Sequence, residues 1–422
     1  MATWILQPRD TLLLRDARPS SEGAGGLRSL DFPWPSSLAG LIRTRIGSAK
    51  SGQFDLEVNK AKQIPVRGPL LAELTANGEV AANDEGVPKL LVPAPCDCVW
   101  YRAEPTDKAP KAHFVRRRLE PVNYREQFPG FETDLDTKPY GTARTKYLLR
   151  HLSDDATGKP VTGAAFWRWN DFQTWLTNPV SEASFPESTE PGEVNHARFR
   201  DFGQPALVRE QRTHVRIDAA AQTAEDGMLF VTELLRFTRT QKSAAPLELG
   251  LLFSCDYQDP ERPLRPGLVT FGGERKLSVL ASSSLPLPSL PPTLQTTLER
   301  NRADGKSLVR VVLLTPALFK DGFAPEWIGN ETVKVVAAAV PRPQVVSGWD
   351  HELVPNKQGK LEQKGPKPNR RMAPAGSVYW VELPHDLDME KWLKSVWMQC
   401  LSNQMKDQDA KDGFGLCAVG VG

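Results

Sequence analysis

The chain opens on an apolar run, residues 2–9, that reads as a strand; after Pro19 comes a polar, glycine-rich stretch, SSEGAGGLRSLDF, that reads as a loop. Hydrophobic spacing then switches to the helical period. Leu38, Leu41, Ile42 and Ile46 share one face, Ser36 or Ser37 can cap the start, and Gly47 can stop the helix. Strand, loop and helix make the opening of a βα unit. The far end carries a counterpart. SVYWVEL at residues 377–383 is strand-like, and Asp386 or Asp388 can cap a helix whose apolar face is Trp392, Leu393, Val396, Trp397, Cys400 and Leu401. The closing LCAVGVG returns as a strand.

Between these ends, residues 214–217 and 228–237 read as a hairpin turning near residues 225–227, and SLVRVVLLTPALF and TVKVVAAAV read as buried strands. Two such units, split around a hairpin, make one ferredoxin-like (RRM-like) sandwich of the α+β class, with helices on one face and an open sheet on the other, and a diverged second copy would divide the chain into two domains. The boundary is expected near 240: residues 1–240 form the first domain, carrying a large irregular insertion at about 105–200, and residues 241–422 form the second, ending in a Gly-rich loop and a last strand.

Composition narrows the class. The chain has 422 residues, room for more than one core. Its 53 basic and 51 acidic residues give a net charge of +2, so any polyanion site must be local. The 36 prolines gather in joints such as FPWPSS and LPLPSLPP, which favour a sheet-rich chain over a helical bundle. Five cysteines without zinc-type spacing fit reduced thiols in a cytoplasm, and no apolar run is long enough for a membrane span.

Catalytic chemistry is thinly supplied. None of the six histidines sits in an H-E-x-x-H, and no G-x-S-x-G or Walker-type motif occurs. His214, flanked by Arg212 and Arg216, could act on an RNA 2′-hydroxyl, but a hydrogen-bonded strand histidine accounts for it as well. Basic runs say more. RDARP, AHFVRRRLEP, KPYGTARTKYLLRH, TFGGERKL and PKPNRRMAPAG each set cations beside glycine or flat side chains, the mixture that meets phosphates, stacks on splayed bases and lets backbone approach single-stranded RNA. Trp349, beside Gly348, can be a stacking residue or a loop anchor.

These stretches, in order, resemble a known family. QPRDTLLLRDARP, PWPSSLAGLIRTRI, HVRID with TAEDGMLF, FGGERKL, LLTPALFKDGF, VSGWD, PKPNRRMAPAGSVYWVE and GFGLCAVGVG are similar to the third subunit of the Cmr effector of type III-B CRISPR-Cas systems, in the RAMP superfamily. The likeness is poorest over about residues 50–200. Near the start the family often has glycine where this chain has Ala17, and an aromatic pair where it has Leu13 and Leu14.

The resemblance implies a protein of two ferredoxin-like domains that is a non-catalytic RNA-binding subunit acting in antiviral defence. It would hold the 5′ tag of the CRISPR RNA (crRNA), pair with the large polymerase-like subunit and adjoin the RAMP backbone subunits. It would need no cofactor or metal and would work in the cytoplasm, away from membranes. Motif matching points to Arg15, Arg18, Arg43, His214, Gly272, Gly273, Arg275, Gly348, Trp349, Arg370, Arg371, Gly413, Phe414 and Gly415 as RNA-binding positions. The two glycines of the final loop would admit RNA to the backbone, and Phe414 would stack or plug. A rival within the superfamily is a metal-independent CRISPR-RNA processing endoribonuclease using His214. A second close relative by the same resemblance, the tag-binding subunit of type III-A or III-D complexes, would share fold and role and differ only in its partners.

Overall fold

A computed structural model describes residues 2–15, 27–48, 52–103, 113–123, 126, 129–130, 147–151, 160–179, 184–186, 203–239, 246–305, 308–320, 322–325, 327–328, 331–332, 334–356, 359–384, 386–402 and 408–422. It is a mixed α/β structure made mostly of strands, with few helices.

The N-terminal sheet has nine strands among the described residues. Its centre is Val66–Glu73, Leu247–Cys255, Ala2–Pro8 and Leu277–Ser283, neighbours in that order and all antiparallel. Numbered along the chain, these four strands run 2-3-1-4. The C-terminal sheet, Lys334–Ala339, Val378–Glu382, Leu308–Leu313 and Cys417–Val421, repeats that order, again antiparallel throughout. In each sheet only one of the two crossovers carries helix among the described residues, a longer helix followed by a short one, Val58–Lys62 in the first and Gln408–Lys411 in the second. The first sheet has the helix Pro35–Gly47 between its first two strands, and the second has Met389–Val396 between its last two.

The helix Pro35–Gly47 forms as its spacing predicts, burying Leu38, Ile42 and Ile46 against Leu6, Leu71, Leu251 and Phe253 of the sheet. Its start differs from expectation: Pro35 occupies the first turn, where its missing N–H costs nothing, and no serine caps it. The C-terminal helix is capped by Asp388, whose carboxylate accepts from the Lys391 N–H at 3.1 Å, and it ends at Val396, earlier than the apolar pattern suggests.

Two expectations are corrected by the sheets. Leu247–Cys255 and Leu277–Ser283 flank Ala2–Pro8, so two strands that follow the division expected near 240 pair into the N-terminal sheet. Nor is the sheet face opposite the helix open. Ile5, Leu70 and Leu252 point from it into one apolar core that also holds Val309, Val311, Tyr379 and Trp380 of the second sheet. Apolar residues at successive positions, as in residues 249–253, bury both faces.

The insertion, with the strand Cys98–Ala103 just before it, adds a sheet of five strands among the described residues, built on that strand and His113–Asn123, and the helix Trp169–Thr177. Phe172, Trp175 and Leu176 of that helix enter the shared core, and the backbone of Leu176 lies so close to Gly420 that an added Cβ would meet it at 3.0 Å. At its centre a wholly buried Arg310–Asp97 ion pair is completed by Trp175 Nε1 donating to Asp97 at 2.9 Å and Arg310 Nε donating to the Val421 carbonyl at 2.6 Å. Arg116 lies over the Trp175 ring at 4.8 Å. The Arg-Arg-Arg run therefore does not form a solvated face: Arg116 and Arg118 are buried, and burial, with the charge of Arg310 added, pushes Arg118 down to about 10.

Two long hairpins stand on this body. Val208–Ile217 pairs with Ala224–Arg236, and Gln344–Pro355 pairs with Leu361–Met372.

Candidate nucleic-acid interface

After the first strand the chain runs between the first hairpin and a glycine turn. The Leu12 N–H donates to the Leu235 carbonyl at 2.8 Å, and the Gly273 N–H donates to the Leu13 carbonyl at 2.7 Å. Residues 27–30 come back alongside, through Leu30 N–H to Leu14 O at 2.7 Å and Leu27 N–H to Val231 O at 2.8 Å. These pairings bring Arg15, the glycine turn and the base of the hairpin onto one surface.

The turn is demanding. Gly272 has φ +81°, and a Cβ there would lie 2.7 Å from the Leu13 carbonyl oxygen, so only glycine fits. Glu274 and Arg275 follow with φ of 57° and 51°, which lifts an exposed Arg275 from the surface. Between the turn and residues 13–15 lies a groove of about 340 Å³, with Leu30 and Ser37 on its other wall. Leu30 also borders a larger cleft of about 940 Å³, which carries Arg28, Phe32, Trp34, Phe166, Arg209 and Gln344. Phe32 and Phe166 stand 5.6 Å apart, tilted by 49°. Arg209 bridges Asp31 and Glu233 and donates to the Ser29 carbonyl at 3.1 Å, which fixes one wall.

The other expected positions separate into exposed and enclosed groups. Gly348 and Trp349 lie on the second hairpin, where Trp349 is half exposed and its Nε1 donates to Gln363 at 2.9 Å. Arg371 is exposed on the same hairpin, but its neighbour Arg370 grips Asp409 with two bonds of 2.7 and 2.9 Å. Arg43 is taken up entirely within the chain: it pairs with Asp412 and donates to the carbonyls of Ile64 and Lys411 at 2.8 to 3.1 Å. Arg18 lies outside the described residues.

The closing loop is buried. Gly413 and Gly415 have φ of +97° and +80°, and added Cβ atoms would stand 2.6 Å from the Gly68 carbonyl oxygen and 2.7 Å from the Ser402 nitrogen. Phe414 packs with Trp34, Leu318, Val346 and Met372. The close approach these glycines permit is therefore made by the chain's own backbone, and Phe414 is an internal plug.

His214 lies on the first hairpin, stacked on Phe230 at 5.0 Å, with Nε2 2.8 Å from Thr232 Oγ1. Its flanking arginines are bound to acids: Arg212 to Glu210 at 2.7 Å and Arg216 to Glu225 at 3.0 Å. Hydrogen bonds from Arg212, supported by Arg236, hold the Glu210 carboxyl below its usual range. Among the described residues, no group of three or more His, Cys, Asp or Glu side chains could hold a metal ion, and no helix is long and apolar enough to cross a membrane.

The family model for "CRISPR-associated protein (Cas_Cmr3)" matches residues 4–422. The chain belongs to the Cas_Cmr3 family. The resemblance to the third Cmr subunit of type III-B systems is thus borne out by nearly the whole length of the chain. Among solved structures, a chain from "Cryo-EM structure of the Type III-B Cmr-beta bound to cognate target RNA" is 13% identical, with 98% of this chain and 96% of that one covered and a TM-score of 0.44. One from "Cryo-EM structure of the Type III-B Cmr-beta bound to cognate target RNA and AMPPnP, state 1" is also 13% identical, over 90% and 86% of the two chains, with a TM-score of 0.41. No curated protein matches.

Arg28 and the Phe32–Trp34 wall are the additions to the sequence reading. FPWP was legible as a proline joint, but its place beside the hairpin follows from pairings more than 190 residues apart in the chain, such as Leu27 with Thr232 and Leu12 with Leu235.

Proposed function

We propose that this Cas_Cmr3 family member is a non-catalytic adaptor of the type III-B effector: it binds the crRNA 5′ tag and pairs with the large polymerase-like subunit, beside RAMP backbone subunits, in the cytoplasm. The observation that carries this reading is the convergence of Arg15, Arg28, the Gly272–Gly273 turn with Arg275, and the Phe32–Trp34 cleft on one surface. Exposed cations suit phosphates, the glycine turn keeps that surface low, and the rings and prolines of the cleft suit unstacked bases. Trp349 and Arg371 extend the reading to the second hairpin. Arg43, Arg370 and the final glycine loop act indirectly, by holding the fold on which the surface stands.

The shared 2-3-1-4 order supports treating the two units as ferredoxin-like domains, each with helix in one crossover among the described residues where that fold has it in two. The His214 environment, stacked on Phe230, bonded to Thr232 and flanked by arginines already paired with acids, supports a structural histidine.

The test is to purify the protein with its complex from the native host and sequence the bound RNA. A shared repeat-derived 5′ end is expected. RNAs without one would refute tag binding, and repeat-RNA cleavage lost in His214→Ala would refute the non-catalytic reading.

A further inference from the structure

The N-terminal sheet ends on Gly267–Thr270, which pairs only with Leu277–Ser283 and has no strand on its outer side among the described residues. Such an edge offers unpaired backbone N–H and C=O groups, and proteins ordinarily blunt it with charge or proline or cover it. Here the pleat does the opposite. Leu268 stands opposite Val279 and Thr270 opposite Leu277, so all four share one face, on which Leu268 and Leu277 are 63% and 49% exposed. Val269, on the other face, is buried.

A groove of about 600 Å³ follows this edge, walled on the far side by Leu41, Thr44 and Arg45 of the helix Pro35–Gly47 and by Arg265. The two arginines are held by neutral partners. Arg45 donates to the carbonyls of Arg265 and Pro266 at 3.2 and 3.1 Å, and Arg265 donates to the Ser48 carbonyl at 2.7 Å. The nearby Asp55 is occupied by Arg262 at 2.7 Å. Neither Arg45 nor Arg265 meets a carboxylate among the described residues. Among the described residues the groove thus combines an open strand edge, exposed leucines and two positive charges without counter-charge, with no aromatic ring in its lining on which a base could stack.

We infer that this edge is a docking site for an extended segment of a neighbouring protein subunit, one that alternates apolar and acidic residues and adds to the sheet as a further antiparallel or parallel strand. Main-chain hydrogen bonds to residues 267–270 give the register, alternate apolar side chains cover Leu268 and Leu277, and acids on the other face meet Arg45 and Arg265. The inference rests on the effector-subunit reading for the complex in which it acts, but not on tag binding.

The experiment places the photo-crosslinker p-benzoylphenylalanine at Leu268 in the complex purified from the native host, irradiates it, and maps the adduct by mass spectrometry. The expected result is one adduct, to an acidic and apolar segment of a protein subunit. Arg45→Glu with Arg265→Glu should then cut co-purification of that subunit by about tenfold, and lysine in place of the captured acids should restore it. Because both arginines also tether backbone, Leu268→Lys is the second variant, expected to lose the subunit with an unchanged melting temperature. Adducts to RNA alone, no adduct, or unchanged co-purification of the captured subunit in the Leu268→Lys complex would overturn the docking site. Sequencing the RNA in the same particles keeps the two readings apart: a shared 5′ end retained without docking refutes only this one, and docking without a shared 5′ end refutes only tag binding.

Discussion

The two glycine loops of the chain look alike in sequence and are used in opposite ways. Gly272 and Gly273 bend a surface turn over the Leu13 carbonyl at the wall of a groove, and leave Arg275 in solvent two residues on. Gly413 and Gly415 thread a buried segment past the Gly68 carbonyl and the Ser402 nitrogen, with Phe414 sealed beneath. In both, glycine is required because backbone comes within about 3 Å of where a Cβ would sit. A glycine-rich motif therefore reports that something approaches the chain closely; which partner approaches is decided by the fold. The cations divide along the same line. Arg43 and Arg370, near the inner loop, are spent on Asp412 and Asp409, whereas Arg275 and Arg371 face out.

The inner loop should break first and hardest. Gly415→Val places a β-branched side chain at φ +80° against main-chain atoms, and is expected to cost about 3 kcal/mol or more of stability, read as a loss of folded protein or a large fall in melting temperature. RNA affinity lost at full stability would return that loop to the binding surface. Arg43→Ala comes next. It removes an ion pair whose side chains are both 12% exposed, together with three bonds to carbonyls, for about 2–3 kcal/mol by denaturant unfolding.

The outer loop should show the reverse pattern. Arg15→Ala with Arg275→Ala is expected to leave the melting temperature within about a degree or two. Tag-RNA affinity should fall by about 1–2 kcal/mol, and the slope of log affinity against log salt should flatten by roughly 0.7 for each phosphate no longer neutralised. The adjacent pair on the second hairpin gives the finest comparison. Arg370→Ala should cost about 1 kcal/mol of stability through Asp409, and Arg371→Ala about 1 kcal/mol of RNA affinity with stability untouched. Equal effects of the two on stability would mean that their exposure does not separate their roles.

Much of the frame was legible in the sequence because it rests on local pattern. The helical face of Leu38, Ile42 and Ile46, the Asp388 cap and the final strand are set by spacing and short-range chemistry. What was not legible depends on distant partners. Leu247–Cys255 lies just past the division expected near 240, and only its pairing with Ala2–Pro8, about 250 residues earlier, assigns it to the first unit. The Arg-Arg-Arg run has the composition of a solvated face, yet Trp167 and Trp175, some fifty residues on, draw Arg116 inside over their rings. Similarly, the Phe32–Trp34 wall becomes a cleft only when the hairpin and the second sheet close around it. The family likeness carried across these gaps because it rests on the order of motifs along the chain, which needs no knowledge of how they pack.

The central claim is that RNA is held by the outer glycine turn and its arginines while the inner loop serves the fold. Filter binding of a crRNA 5′-tag oligonucleotide to the full chain, wild type against Arg15→Ala with Arg275→Ala, across a salt series, tests it most directly. The account predicts tag-selective binding that falls about tenfold in the variant, with a flatter salt dependence and an unchanged melting temperature. Equal affinity and equal salt slope for the two proteins would contradict it.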